Sequence, residues 1–174
     1  CGTSEGKFLF LNNNGGFPPD FDVVHDAFNG ISPGKSSAPA LFDIDQDGDL
    51  DIISGSRNGQ LALYKNTSSG AEIAFDLVTE TLGGVDVRDL NVSYYGYSTP
   101  SFYTTTEGEV LLAVGSNSGR IYLFGNVSGN VNDDFETLSG FMHYIDPGER
   151  SACAFAELNG DDYPELVVGN YSGG

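Results

Sequence analysis

The sequence predicts an all-β fold: a partial β-propeller of four-stranded antiparallel blades, about three blades' worth and cut mid-blade at both ends. Three observations predict it. Glycine makes up 24 of 174 residues without a three-residue period, so many tight turns join short strands and a collagen helix is excluded. A hairpin pattern recurs along the whole chain. A second, small-residue element recurs upstream of it at nearly constant distance.

The hairpin pattern is clearest in Gly55-Ser-Arg-Asn-Gly59-Gln-Leu-Ala-Leu-Tyr64-Lys-Asn66 and Gly115-Ser-Asn-Ser-Gly119-Arg-Ile-Tyr-Leu-Phe124-Gly-Asn126. It appears again in Gly2-Thr-Ser-Glu-Gly6-Lys-Phe-Leu-Phe-Leu11-Asn-Asn13, and a fourth copy starts at Gly169. The leading glycines are 53, 60 and 54 residues apart, a spacing that suits a four-stranded blade. Each copy reads as a strand ending at the first glycine, a short turn and an alternating strand. The upstream elements, Ser37-Ala38-Pro39-Ala40-Leu41-Phe42, Ser98-Thr99-Pro100-Ser101-Phe102-Tyr103 and Ser151-Ala152-Cys153-Ala154-Phe155-Ala156, precede their glycines by 18, 17 and 18 residues. Small residues alternating with larger apolar ones fit an innermost strand, where blades crowd the axis. Residues 21–25, 73–79 and 135–143 are the expected outer strands. The resulting division is the end of a blade over 1–30, a full blade with a metal loop over 31–90, a full blade without one over 91–147, and the start of a blade with a variant loop over 148–174. Ends that fall inside a blade, where a domain boundary would fall in an exposed linker, lead to the expectation that the rest of the same propeller is a partner of this segment.

Charge narrows the partners. With 25 acidic against 7 basic side chains the formal charge is −18, which repels phosphate backbones and anionic lipid, so nucleic acid and direct membrane insertion are not expected. No apolar run approaches the ~20 residues needed to span a bilayer. Cys1 and Cys153, without CxxC or His spacing, read as small strand residues.

The chemistry concentrates in Asp43-Ile44-Asp45-Gln46-Asp47-Gly48-Asp49-Leu50-Asp51. Carboxylates at its first, third, fifth and ninth positions, with glycine at the sixth, wrap oxygen ligands around one point. Asp43, Asp45, Asp47 and Asp51 offer side-chain oxygens and Asp49 its carbonyl. Such an all-oxygen anionic cage selects calcium. An EF-hand would place glutamate where Ser54 stands and helices where these flanks read as strands. In the last repeat Glu157, Asn159, Asp161 and Glu165 take the same four positions while Asp162 replaces the glycine, a weaker second cage. The middle repeat, Thr104-Thr105-Thr106-Glu107-Gly108-Glu109, has no aspartate series and is expected to hold its turn by hydrogen bonds.

Together, Ser37-Ala38-Pro39, Asp43-x-Asp45-x-Asp47-Gly48-x-x-Asp51, Gly55 and Asn66 resemble the FG-GAP repeats of integrin α-subunit propellers and the similar VCBS repeats of secreted bacterial proteins. The resemblance implies that the calcium loop joins the first two strands of a blade and serves structure. It also implies an extracellular or cell-surface module for adhesion or for recognition of a protein or glycan. It supplies no ligand residue. Clustered Tyr94, Tyr95, Tyr97 and Tyr103 are candidate contacts or interblade packing.

No enzyme is expected. His25 and His143 fall at different repeat phases, and Asp133, Asp134, Glu136, Asp146 and Glu149 read as solvated loop residues. The alternative is a non-catalytic propeller scaffold within a larger secreted polysaccharide-active enzyme. Four Asn-x-Ser/Thr sequons, at Asn66, Asn91, Asn126 and Asn170, would carry sugar only in a eukaryotic secretory protein.

Overall fold

Small and β-branched residues alternating between glycine-bearing turns form short antiparallel strands here, and the chain is all-β. The computed structural model describes residues 1–25, 28, 31–70, 72–139, 148–161 and 163–171. The strands are β1 Phe10–Asn13, β2 Phe21–His25, β3 Ala38–Phe42, β4 Asp51–Gly55, β5 Leu61–Asn66 and β6 Phe75–Thr79, followed after a 3-10 turn at Leu82–Gly84 by β7 Thr99–Thr104, β8 Val110–Gly115, β9 Ile121–Gly125, β10 Glu136–Ser139, β11 Ala152–Ala156 and β12 Glu165–Gly169. They build a two-stranded sheet (β1-β2), two four-stranded meanders (β3-β4-β5-β6 and β7-β8-β9-β10) and a second two-stranded sheet (β11-β12). Among the described residues no helix is long and apolar enough to cross a membrane.

The register repeats as the sequence does. Gly55 pairs with Leu61 and Gly115 with Ile121, and an isolated bridge joins Gly2 to Phe8 at the same six-residue offset. On the other edge Gly55 pairs with Ala38, Gly115 with Thr99 and Gly169 with Ala152. Pro39 and Pro100 therefore stand near the starts of β3 and β7, the edge strands of their sheets, where a missing N–H costs no ladder bond.

Sheets stack face to face. Ile53, Leu61 and Leu63 from the first meander meet Val110, Leu112, Val114 and Phe124 from the second in one core. Ile52, Ala62 and Tyr64 point to the other face of the first meander and pack on Phe8 and Phe28. Covered on both faces, β4 is buried along its entire length, and burying an isoleucine or leucine there contributes about 1.5–3 kcal/mol. The first strands also lie side by side, β3 against β7 and β7 against β11, with Phe42 stacked on Phe102 at 4.6 Å between ring centroids.

The junction between neighbours is the same three times. Ser37, Ser98 and Ser151 each send a hydroxyl into the hairpin turn of the preceding repeat. There Oγ accepts the backbone N–H of Thr3, Ser56 and Ser116 at 2.9, 3.0 and 2.9 Å. The hydroxyl proton points toward the carbonyl of Lys7, Gln60 and Arg120 at 3.1, 2.7 and 3.1 Å. The serine N–H donates back to the carbonyl of the same Thr3, Ser56 and Ser116 at 3.0–3.1 Å. These contacts require bare backbone on the other side: a Cβ on Gly2, Gly55 or Gly115 would lie 2.0, 2.0 or 2.2 Å from the carbonyl oxygen of Ser37, Ser98 or Ser151. The residue before each serine, Ser36, Tyr97 or Arg150, is left-handed with φ between 49° and 57°, at a cost of about 1–2 kcal/mol each that the serine bonds offset.

Gly55→Ala should therefore cost about 3 kcal/mol or more, and Ser98→Ala, which strands buried backbone groups, about 1–3 kcal/mol. Gly169→Ala, whose nearest neighbour would be 4.0 Å away, should stay within about 0.5 kcal/mol. Urea unfolding of the three variants checks the order; equal losses at Gly55 and Gly169 would contradict the account.

Candidate metal centre

The aspartate loop joins β3 to β4 and is shaped by its own side chains. Asp43 accepts the N–H groups of Asp47 at 3.1 Å and Gly48 at 3.0 Å, and Asp47 accepts that of Asp49 at 3.0 Å. The tight turn takes Gly48 to φ 96°, where only glycine is unstrained, and Gln46 to φ 64°. Asp51, 1% exposed, begins β4 and accepts from Asn66 N at 2.8 Å and Ile44 N at 3.4 Å. The Asn66 side chain in turn donates to Leu50 O at 3.0 Å, which gives that repeated asparagine its role as a clamp on the loop.

This folding brings one carboxylate oxygen each from Asp43, Asp45 and Asp51 within 4.8 Å of one another, the one such group among the described residues. Three hard oxygen donors, with no nitrogen or sulfur among them, suit a divalent cation such as calcium. The carboxylates of Asp47 and Asp49 lie outside that group. Asp47 is paired with Lys65 at 3.0 Å, and the same ammonium contacts Asp45. The Asp49 N–H, with Lys65 second, holds the Asp47 carboxyl below its usual value, and the two carboxylates, Asp45 first, raise that of Lys65. Burial pushes the Asp51 carboxyl upward against the pull of its two N–H donors.

Lys65 supplies the nearby positive charge that five aspartates in nine residues demand. Sequence reasoning passed over it, although the hairpin register would have found it: one step beyond the pair Ile52–Tyr64, Lys65 falls opposite Asp51. The loop is also a packing element. Ile44 is wholly buried in the core between the meanders, its carbonyl accepts Gly129 N at 2.7 Å, and Gln46 donates to Ser128 at 2.6 Å. Whatever orders this loop orders the junction between two sheets.

In the last repeat, Glu157, Asn159 and Asp161 lie in the β11–β12 connection and Glu165 begins β12. Asp161 accepts Tyr163 N, Asn159 accepts Asp161 N, and the Asn159 amide nitrogen contacts Glu165. Their carboxylates do not meet as closely as those of the first loop. Asp162, with His143 and Asp146, lies outside the described residues. The middle turn is held as expected, by Thr105 N to Glu109 O at 2.7 Å and Glu109 N to Thr105 Oγ1 at 3.1 Å. Cys1 and Cys153 are both free; Cys153 lies in β11, and burial raises its thiol to about 11. Tyr103 packs on Phe155 at 5.8 Å, away from Tyr94, Tyr95 and Tyr97, which touch one another edge to face.

Comparison of the chain with models of known protein families, with curated proteins and with solved structures gives no match.

Two outcomes follow from the loop's geometry. Ile44→Ala should cost about 2–5 kcal/mol, against about 0.5 kcal/mol or less for the exposed neighbour Leu50→Ala, measured by denaturant unfolding. Without divalent ions, Lys65→Met should lower the melting temperature at low ionic strength, and the gap should close as sodium chloride screens the exposed aspartates. A salt-independent gap would mean that Lys65 acts by packing.

Proposed function

We propose that this chain is a calcium-stabilised segment of an extracellular β-propeller that presents the turns at one end of its sheets to a protein or glycan ligand. The observation that carries the reading is the threefold serine–glycine junction. A junction repeated identically between successive sheets relates each to the next by the same rotation, and the equivalent residues 36–38, 97–99 and 150–151, together with 2–4, line a single cavity of about 360 Å³. That is the geometry expected where blades meet around an axis, with the first strand of each innermost.

Calcium fits the loop as a structural ion. Asp43, Asp45 and Asp51 would hold it, and the ion would supply the positive charge that draws the turn together beside the buried Ile44. Lys65 competes for the same oxygens, and we take the affinity to fall in the weak range of about 10⁻⁴–10⁻³ M typical of extracellular modules. Such a loop would stay filled outside a cell and largely empty within one.

A ligand bound only by the folded chain raises stability by RT ln(1 + [L]/Kd), about 1.4 kcal/mol at a tenfold excess over Kd. Millimolar calcium should therefore raise the melting temperature, chelator should reverse it, and Asp45→Ala should remove most of the response. Identical melting from micromolar to millimolar calcium would sink the structural-metal reading. Retention of a glycan or protein ligand without turnover is the matching test of recognition.

A further inference from the structure

The chain gathers its cations at one end. Lys7, Lys35, Arg57, Arg88, Arg120 and Arg150, six of the seven basic residues, lie in turns and lead-ins at the serine end of the sheets. Only Lys65 lies at the end that carries the aspartate loop. At the serine end a cavity of about 230 Å³ is lined by Lys35, Arg57, Arg88, Tyr94 and Tyr95, with Ser56 and Asn58 offering polar atoms. We propose that this cavity binds a carboxylated sugar ring, a uronate residue of an acidic glycan; the proposal rests on the recognition reading above and names its ligand class.

Arg57 is the anchor. Its backbone is fixed on both sides, N–H to Lys35 O at 2.7 Å and carbonyl to Gly96 N at 3.0 Å. Its guanidinium lies over the Tyr95 ring at 3.6 Å from the centroid. Stacking leaves the guanidinium edge free for the in-plane fork that matches a carboxylate. Its Nε is buried with no hydrogen-bond partner, which leaves the outer guanidinium nitrogens to meet a ligand. In a chain with 25 acidic residues, neither Arg57 nor Lys35 has a carboxylate partner among the described residues. Arg88 is already paired with Asp86 and adds shape more than charge.

The aromatic wall favours a ring over an acidic peptide. Tyr94, 72% exposed, stands at 82° to Tyr95, so the two form a corner with flat apolar faces for the C–H face of a sugar and hydroxyls for its polar rim. The volume is below the roughly 300–1,000 Å³ of drug-sized clefts, which suits one ring. Local positive charge set in an anionic surface admits an anion that reaches the turns and turns away long polyanions that would cover the aspartate end.

Calorimetric titration of the chain in millimolar calcium with digalacturonic acid, neutral galactobiose and the dipeptide Glu-Glu tests this. Digalacturonic acid should bind at least tenfold more tightly than the other two. Arg57→Gln should weaken it tenfold or more. Lys35→Gln, on an exposed lead-in that leaves the sheet junctions intact, should weaken it severalfold and flatten its salt dependence, and both variants should keep the calcium-induced rise in melting temperature. Equal binding of the neutral sugar, tighter binding of the dipeptide, indifference to both variants, or no binding of digalacturonic acid would overturn the proposal. If calcium still stabilises the chain and another glycan or protein binds, the recognition reading survives that failure; loss of the calcium response and of every ligand removes both.

Discussion

Everything in this structure hangs on a backbone contact that tolerates no side chain. At each junction the carbonyl of a serine presses on the α-carbon of a glycine in the sheet before it, while the serine hydroxyl satisfies both ends of that sheet's hairpin turn. Buried backbone groups are costly unless paired, and one hydroxyl pairs two of them while crossing from one sheet to the next. The contact is short because glycine allows it, directional because hydrogen bonds are, and repeated because the sequence repeats. Three such junctions force successive sheets into one relation, and the apolar faces that meet as a consequence, Ile53 and Leu63 against Leu112 and Val114, supply the bulk of the stabilisation.

The same arrangement sorts chemistry by end. Antiparallel meanders send alternate connections to opposite ends, so the residues before first strands and between second and third strands gather at the serine end, and the loops between first and second strands gather at the other. The aspartate loop belongs to the second group, and its concentrated negative charge is met by Lys65 in the structure and by calcium in the proposed function. Cations belong to the first group, where the left-handed lead-in residues Tyr97 and Arg150 stack, with the guanidinium 4.3 Å from the ring. A molecule of formal charge −18 thus gathers six of its seven cations, with a tyrosine cluster, at one end, which net charge alone does not reveal.

Much of this was legible in the sequence because it is local. Strand ends at Gly55, Gly115 and Gly169, turns at Gly59 and Gly119 and the loop 43–51 all follow from turn chemistry and from a period that the hairpins keep. Outer strands were placed within a few residues: 21–25 matches β2, while 73–79 and 135–143 shortened to Phe75–Thr79 and, among the described residues, Glu136–Ser139. The loop stands out by composition and by the spacing of its carboxylates. Four aspartates at favourable spacing offer side-chain oxygens and Asp49 its carbonyl; in the structure the carboxylates of Asp43, Asp45 and Asp51 converge, beside an ammonium that arrives from β5 and touches both Asp45 and Asp47.

What the sequence by itself determined is the unit: its period, its four-strand meander, its acidic loop and the small residues of its first strand, since each depends on neighbours a few residues apart. Only the tertiary structure decided how one unit meets the next. The serine hydroxyls bridge 30 to 42 residues, Gln46 reaches Ser128, and Lys35 joins Arg57 and Tyr95 around one cavity. These partners share no local pattern; they are brought together by the packing of separate sheets, and a sequence read along the chain holds no record of distances across it.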